Sequence, residues 1–300
     1  MGDHEPLQRV VPFFFSRLFY PLVFFCSVGV GLVAIAHGWN YGIVSGALIG
    51  GTAISLIALE TIYPAKRAWR MTFISFFKRD LKYMVAGISA SAAISYLGAL
   101  AALEVASFRA GFASELPLYL SLPLAILIFD FIQYWTHRWM HETTWPLGGL
   151  LWRIHAGHHL PDAVYVLMHP VAHPLNDIIV RQGLNIGLIW LIGFNTDTVL
   201  IFTIITVVGG LFSHFNLDVR AGVLNYFFVS TELHRFHHSA DLDESKNFGI
   251  ITPFWDIVFG TFVYRPGRLP QRIGVVDPAQ YPPSNHYWAV FMLPFRRAAR

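Results

Sequence analysis

Three groups of closely spaced histidines are the part of this sequence best suited to do chemistry. The eight residues are His137 and His141, then His155, His158 and His159, then His234, His237 and His238. Residues three and four positions apart share one face of a helix. Imidazole nitrogen is a ligand for iron, zinc and copper. The spacing therefore predicts that each group presents its rings together to metal ions.

The pattern H-x-x-H-H occurs twice, and its rarity favours a metal site over scattered polar residues. With 14 histidines in 300 residues, the pattern is expected by chance only about 0.03 times. Eight imidazoles are too many for one ion, because a catalytic zinc typically keeps three protein ligands and an open position. We therefore predict two ions, with His173 and His214 as further candidate ligands.

The sequence excludes several other kinds of metal site. Cys26 is the only cysteine, so the chain cannot form an iron–sulfur cluster or a cysteine-based zinc site by itself. The zinc protease motif H-E-x-x-H is absent, because His141 and Glu142 are followed by Thr, Thr and Trp145. The Glu-x-x-His pair of soluble di-iron bundles is absent too. A nitrogen-rich dinuclear site remains, whose metal the spacing does not name.

The elements that must position these histidines are membrane helices. Hydrophobic residues make up 55% of the chain and charged residues only 13%, about half the charged share of a soluble domain. Apolar runs near 18–36, 42–62, 83–107 and 118–136 each have about the 20 residues that a spanning helix needs. Residues 178–213 form a broken apolar region. We predict an all-α integral membrane protein with about four transmembrane helices plus a helical hairpin, spanning or re-entrant.

The distribution of basic residues predicts the orientation in the membrane. Lys and Arg crowd the connection 63–82, whereas the connections 37–41 and 193–198 have none. The positive-inside rule then places 63–82, 137–177 and the chain after 214 in the cytoplasm. All the grouped histidines fall on that side, although they were not used in the assignment. The sequence thus predicts a cytoplasmic helical cap that carries a dimetal site.

Around the histidines the sequence resembles the fatty acid hydroxylase/sterol desaturase superfamily, over roughly 118–262. The matching motifs are Asp130-x-x-x-Tyr134-Trp135-x-His137-Arg138-x-x-His141, Trp152-Arg153-x-His155-x-x-His158-His159, Ala172-His173-Pro174-Leu175, Ser213-His214, His234-x-x-His237-His238, Asn247-Phe-Gly249 and Trp255-Asp256-x-x-Phe259-Gly260-Thr261. Residues 1–117 carry no comparable motif. We therefore divide the chain into a membrane-spanning region 1–117, a catalytic region 118–262 and an irregular, proline-rich tail 263–300.

The resemblance implies an integral membrane oxygenase with two non-haem iron ions and dioxygen as co-substrate. It implies that the eight grouped histidines are ligands, together with His173 and His214. The reaction would hydroxylate or desaturate a lipid, and the resemblance leaves open a fatty acyl chain, a sterol or hopanoid, a carotenoid, or an ornithine-type aminolipid. Since the chain has no haem or flavin motif, electrons would come from a separate ferredoxin or cytochrome b5-type donor with its reductase. The short chain without a fused cytochrome b5 domain favours a bacterial inner-membrane enzyme.

Three carboxylates are candidates to hydrogen-bond to the metal ligands. Asp130 lies inside an apolar run, where an ionisable side chain is costly and usually functional. We expect it to accept the outer N–H of a ligand imidazole, as carboxylates near metals often do. Asp177 and Asp256 are candidates for the same role.

Two other classes of protein remain as alternatives. A histidine-rich metal-binding or transport protein would place its histidines within the spans, whereas these lie mostly outside them. A membrane zinc hydrolase would hold zinc and act without dioxygen. The net charge of +3 is small, and basic residues lie where the membrane surface is expected, so nucleic-acid binding is not predicted. The sequence does not determine the oligomeric state.

Overall fold

The computed structural model describes residues 11–105, 111–179 and 192–296. Over these ranges the secondary structure is helical, with no β-strand apart from an isolated bridge between Ser239 and Ile273. The all-α prediction is therefore confirmed for the described part of the chain. We number its α-helices as α1 (Phe19–His37), α2 (Tyr41–Ile62), α3 (Leu81–Val105), α4 (Leu118–His141), α5 (Gly148–His159), α6 (Pro174–Asn176), α7 (Thr196–Ser213), α8 (Thr231–His237), α9 (Phe254–Val258) and α10 (Tyr287–Phe291), leaving out a single turn before α3.

Four helical segments of the described residues are long and apolar enough to cross a membrane. They are Phe14–His37, Tyr41–Ile62, Leu118–His141 and Thr196–Ser213. Three of them coincide with predicted runs, and the fourth, α7, is the second half of the predicted hairpin. Its first half lies mainly at 180–191, outside the described residues. The remaining run, predicted at 83–107, forms α3 as far as Val105. The prediction of a multi-pass membrane protein is confirmed.

Helix α7 is the centre of the membrane bundle and packs against α1, α2 and α4. Its contact with α1 depends on Gly31, where an added Cβ would lie 2.7 Å from both Ile201 Cδ1 and Ile204 Cδ1. Small residues let membrane helices approach closely and gain packing contacts. On the outer surface of α2, Ile43 and Ile54 are each 72% exposed, as lipid-facing side chains are. The bundle thereby fixes the end of α7, where His214 follows.

A second apolar core joins the part of the chain predicted to form the cap. It brings together Ala156 of α5, Tyr165 of the following loop, and Tyr287, Val290 and Leu293 near the C-terminus. The last three repeat at helical spacing and are buried, which explains why α10 forms within the tail that was expected to be irregular. This second core holds α5, and with it three of the histidines, against its neighbours.

Candidate metal centre

Nine buried or half-buried histidines converge into two groups, each able to hold a metal ion. We call the first group site A and the second site B. In each group, one nitrogen per ring lies within 4.8 Å of all the others. Site A consists of His137, His141, His155, His159 and His237, and site B of His158, His214, His234 and His238. All eight motif histidines and His214 are therefore brought together.

Site A is built from the ends of three helices. His137 and His141 lie on the last turns of α4, His155 and His159 on α5, and His237 on α8. The Nε2 atom of His155 lies 3.1 Å from that of His137 and 3.0 Å from that of His159. The Nε2 atoms of His159 and His237 are 3.2 Å apart. The rings thus point their nitrogens at a common centre.

Site B is more compact and is arranged around His214, the residue that ends α7. Its Nε2 atom lies 3.1 Å from the Nε2 atoms of His158, His234 and His238. The last two are also 3.1 Å apart. Nitrogens that bind one ion at about 2.0–2.1 Å are about 2.9–3.4 Å from each other. The spacing in both sites fits a bound transition metal.

Each H-x-x-H-H motif divides its three rings between the two sites. On α5, His155 and His159 face site A while His158 faces site B. On α8 the division is reversed, with only His237 in site A. The two helices therefore lie between the sites and serve both. The ring of His159 stacks on that of His238 with their centroids 4.4 Å apart, so the sites are adjacent.

In three of the histidines, a backbone carbonyl group fixes which ring nitrogen faces the site. His137 Nδ1 lies 3.0 Å from Phe248 O, His237 Nδ1 2.9 Å from Lys246 O, and His158 Nδ1 2.8 Å from Val171 O. Since a carbonyl oxygen only accepts, each Nδ1 must carry the proton, and each neutral ring then aims its Nε2 lone pair into the site. Converging lone pairs repel one another unless a cation lies between them. The donor set thus fits a metal ion in each site.

Burial keeps these rings in the form that binds metals. It lowers the pKa of His155, His159, His237 and His238 well below the usual value, and the neighbouring imidazoles lower it further. The rings are therefore neutral at pH 7. Neutral imidazole is the form that ligates iron, zinc or copper.

Asp130 does not have the predicted contact with an imidazole. Its carboxylate accepts hydrogen bonds from Ile251 N at 2.9 Å and from Thr252 N and Oγ1, both at 2.7 Å. Asp130 precedes His137 by seven residues, which places it on the same face of α4 but about 10 Å along the axis. It therefore holds the turn at 251–252 in place and does not reach the rings.

Asp256 contacts the backbone next to His137, whereas a direct contact with a ligand imidazole was predicted. Burial raises its pKa to about 6. Its carboxylate accepts from Phe248 N and Gly249 N, both at 2.8 Å, and from Thr261 Oγ1 at 2.7 Å. Because the carbonyl of Phe248 accepts from His137, Asp256 orients that carbonyl and not the ring itself.

The side chain that supports His155 is Asn176, which the sequence analysis missed. His155 Nδ1 lies 3.0 Å from Asn176 Oδ1. The neighbouring Asp177, which was predicted for this kind of role, is buried against α3, where a Cβ added at Gly87 would lie 2.5 Å from its Oδ2. A carboxylate was expected because of its charge, but the amide at the preceding position faces the site.

His173 joins neither group, so it is not placed as the predicted ligand. Its Nδ1 accepts from Leu175 N and its Nε2 donates to Phe291 O, both at 3.0 Å. Both ring nitrogens are therefore used within the chain. His169, to which no role was given, lies beside site B, with its Nδ1 3.4 Å from His214 Nδ1.

Asn247 shapes the loop that supplies two of the carbonyl groups. It has a positive φ of 60°, and its side chain donates to Leu233 O and Val263 O and accepts from Val263 N, at 2.8–2.9 Å. Lys246 and Phe248 on either side direct their carbonyls to His237 and His137. The Asn-Phe-Gly motif thus belongs to the architecture of site A.

A cavity of about 370 Å³ borders both sites. From site A it is lined by His137 and His155, and from site B by His158, His214 and His234. Its other walls include residues of three long helices, with Ser91 on α3, Phe129 and Gln133 on α4, and Thr206 and Val207 on α7. A cavity that is bordered by long apolar helices and by both histidine groups is suited to an apolar substrate.

Residues 122–261 match the family model Fatty acid hydroxylase. A curated relative, "Ornithine lipid hydroxylase OlsE" of Rhizobium tropici, is 28% identical over 83% of this chain and 75% of its own length. Another, "Methylsterol monooxygenase 1" of Rattus norvegicus, is 28% identical over 46% of this chain and 44% of its own. No solved structure matches.

The match and both relatives confirm the resemblance that the motifs indicated, and residues 122–261 are similar to the fatty acid hydroxylase family. Together with the membrane helices and the histidine sites, they support a lipid hydroxylase or oxygenase, which is an oxidoreductase. Such an enzyme requires a lipid substrate and a source of electrons.

Proposed function

We propose that the protein is a membrane-bound di-iron oxygenase that hydroxylates a lipid with dioxygen and external electrons. Sites A and B would each hold one iron ion, with the nine converging histidines as ligands. The observation that carries this proposal is the approach of four Nε2 atoms in site B to about 3.1 Å. Imidazoles in such proximity are poorly explained by protein structure alone, because their lone pairs face one another.

Bound iron would supply the redox chemistry that activates dioxygen, and the protein the binding and orientation. In hydroxylation, one oxygen atom enters a C–H bond and the other leaves as water, with two electrons and two protons from outside. In desaturation, two hydrogen atoms leave the lipid, and together with two electrons and two protons from outside they convert both oxygen atoms to water. We propose a separate ferredoxin or cytochrome b5-type donor with its reductase as the source of the electrons.

The residues of this chain would contribute substrate placement and exclusion of water. Phe129 and Val207 give the cavity apolar walls, and His155 of site A and His214 of site B also line it. An acyl chain that enters between α3, α4 and α7 would present a methylene group to both sites. The backbone carbonyl groups that accept from Nδ1 of His137, His158 and His237 would keep the Nε2 atoms of these rings directed into their sites.

An aminolipid is the substrate class that we favour. The relative with the wider coverage acts on an ornithine lipid, by its name, and spans 83% of this chain. The methylsterol monooxygenase covers 46%, which makes a sterol or hopanoid the second choice. A fatty acyl chain or a carotenoid would also fit an apolar cavity. Hydroxylation is favoured over desaturation because both relatives are named for oxygen insertion.

The orientation that we propose follows the basic residues, with sites A and B facing the cytoplasm of a bacterial inner membrane. The division into a membrane region 1–117, a catalytic region 118–262 and a tail 263–300 is part of the same proposal. The proposed orientation places sites A and B where a soluble electron donor can reach them. A metal transporter is disfavoured because the nine histidines of the two sites are buried or half-buried.

Comparative lipidomics of cells with and without the gene tests the proposal. Hydroxylation adds about 16 mass units to a lipid and desaturation removes about 2. His158→Ala is the matched control, since it should abolish the new lipid and lower bound metal without affecting membrane insertion. Identical lipid profiles with and without the gene would contradict the proposal. Purified protein that holds zinc and hydrolyses lipids without dioxygen would favour the hydrolase.

A further inference from the structure

The C-terminal segment 287–295 packs directly on the helix that carries His155. Tyr287, Val290 and Leu293 form its buried face. Val290 lies against Gly157 of α5, where an added Cβ would be 3.3 Å from Val290 Cγ1. The segment is therefore in van der Waals contact with α5 between the histidines of site A and site B.

His173 connects this segment to the loop beneath site A. Its Nε2 donates to Phe291 O at 3.0 Å, and its ring lies 4.7 Å from the ring of Phe291, inclined by 30°. The side chain is only 3% exposed. Since a carbonyl oxygen only accepts, Nε2 carries the proton and Nδ1 is left with the lone pair.

The other nitrogen of His173 fixes the start of α6. Nδ1 accepts from Leu175 N at 3.0 Å, so His173 is the N-terminal capping residue of this short helix. The His173 carbonyl also accepts from Asn176 N at 2.7 Å. Asn176 in turn accepts from His155 Nδ1 through its Oδ1 at 3.0 Å. The hydrogen bonds thus run without a gap from Phe291 to a ring of site A.

We propose that His173 is a positioning residue that uses this chain of contacts to let the C-terminal segment hold His155 in its metal-binding orientation. The inference rests on the proposed function, because it takes His155 to be a ligand of site A. Within site A, His137 and His237 are held by backbone carbonyls, whereas His155 depends on a side chain. That side chain belongs to a three-residue helix, whose position depends on His173.

Release of metal to a chelator tests this inference without a measurement of turnover. The purified full-length protein is loaded with ferrous iron and challenged with excess chelator, and iron per chain is followed with time. Loss of an outer hydrogen-bond partner typically weakens metal binding about 10–100-fold. His173→Phe keeps an aromatic ring beside Phe291 but removes both hydrogen bonds. We expect one equivalent of iron to leave about 10–100-fold faster and the other at the wild-type rate.

Two further variants separate positioning from folding. Asn176→Leu should show the same selective loss, and the double variant should lose iron no faster than Asn176→Leu alone, because both act through His155. His173→Asn keeps an acceptor that can cap α6 but loses the donor to Phe291, and should still release the first iron faster than wild type. His286→Phe, next to the same segment at an exposed position, is the matched control and should release iron as wild type does.

Four results have distinct meanings. Selective loss of one equivalent in His173→Phe supports the inference. Wild-type release in that variant overturns it and leaves the proposed function intact. Equal acceleration of both equivalents, with a lower thermal midpoint, also overturns it, because His173 would then serve folding alone. Wild-type protein that binds no iron overturns the proposed function and the inference with it.

Discussion

The Nε2 atoms of His158 and His214 lie 3.1 Å apart although the residues are 56 positions apart in the chain. His214 follows α7, the central helix of the membrane bundle, and His158 lies on α5 in the predicted cap. At site B, side chains of ligand type thus join the membrane bundle to the part of the chain that was predicted to form the cap. Metal binding there should couple the two parts of the molecule.

Removal of His214 should therefore empty site B and spare site A. In His214→Ala we expect iron to fall from about two ions per chain to about one, and lipid hydroxylation to fall by about 100-fold or more, because loss of even an outer partner of a metal ligand typically costs about 10–100-fold. Elemental analysis of the purified protein and product quantification measure the two effects. His37→Ala changes the exposed last residue of the first span and is the control. Two retained ions in His214→Ala would remove His214 from the ligand set.

The histidine spacing was sufficient to predict that the imidazoles meet where they could hold metal ions, but not how they divide between two groups. The i, i+3, i+4 spacing places His155, His158 and His159 on one side of α5, and the structure confirms that they meet the other groups. Their division between sites A and B could not be predicted, because it depends on where α4, α7 and α8 approach α5. His214 was named as a further candidate ligand, but a lone histidine after an apolar run carries no spacing information that would assign it to one of the sites.

The contacts behind the ligands were the least predictable part. Asp130 was chosen because an ionisable side chain in an apolar run is costly. The supports are instead the backbone carbonyls of Val171, Lys246 and Phe248 and the side-chain amide of Asn176. Every residue has a backbone carbonyl, so no residue type marks it. The apolar segments were more predictable, because three of the predicted runs and the second half of the predicted hairpin are long and apolar enough to span a membrane.

A bulky side chain in the cavity should block the substrate but not the metals. Val207 lines the cavity on α7 and is not a ligand. We expect Val207→Trp to reduce turnover about 10–100-fold, because displacement of a substrate by about 1 Å can have effects of that size, while iron per chain stays at the wild-type value. Ile54→Trp adds the same side chain at a lipid-facing position that is 72% exposed and should leave turnover unchanged. Full activity in Val207→Trp would mean that the lipid takes another path.

Because α1 and α7 approach closely, substitutions at Gly31 and at Gly29 should have very different effects on stability. A Cβ at Gly31 would lie 2.7 Å from two isoleucine side chains of α7, whereas nothing lies within 4 Å of a Cβ at Gly29. Overpacking typically lowers the free energy of unfolding by about 1–3 kcal/mol. Gly31→Leu should therefore lower the thermal midpoint in detergent, and Gly29→Leu should not. Equal midpoints for the two variants would show that the helices are not packed as described.

The single cysteine offers a test of the membrane placement without prior mutagenesis. Cys26 lies in α1 with an exposed side chain, so in a bilayer it would face lipid. A maleimide reacts with the thiolate, and neither the thiolate nor a charged, water-soluble reagent enters the hydrocarbon core readily. We expect no labelling of Cys26 in intact or opened membranes and full labelling after denaturation in detergent. Labelling of Cys26 in native membranes would contradict the assignment of Phe14–His37 as a span.

The same reagent can then test which side of the membrane carries the histidine sites. In a Cys26→Ser background, Asp243→Cys places a thiol at an exposed position shortly after His238. If the positive-inside assignment is correct, this thiol should resist a membrane-impermeant maleimide in intact cells and react once the membranes are opened. Reaction in intact cells would place sites A and B on the outer side, away from cytoplasmic electron donors. The donor would then have to be sought among periplasmic or membrane-bound proteins.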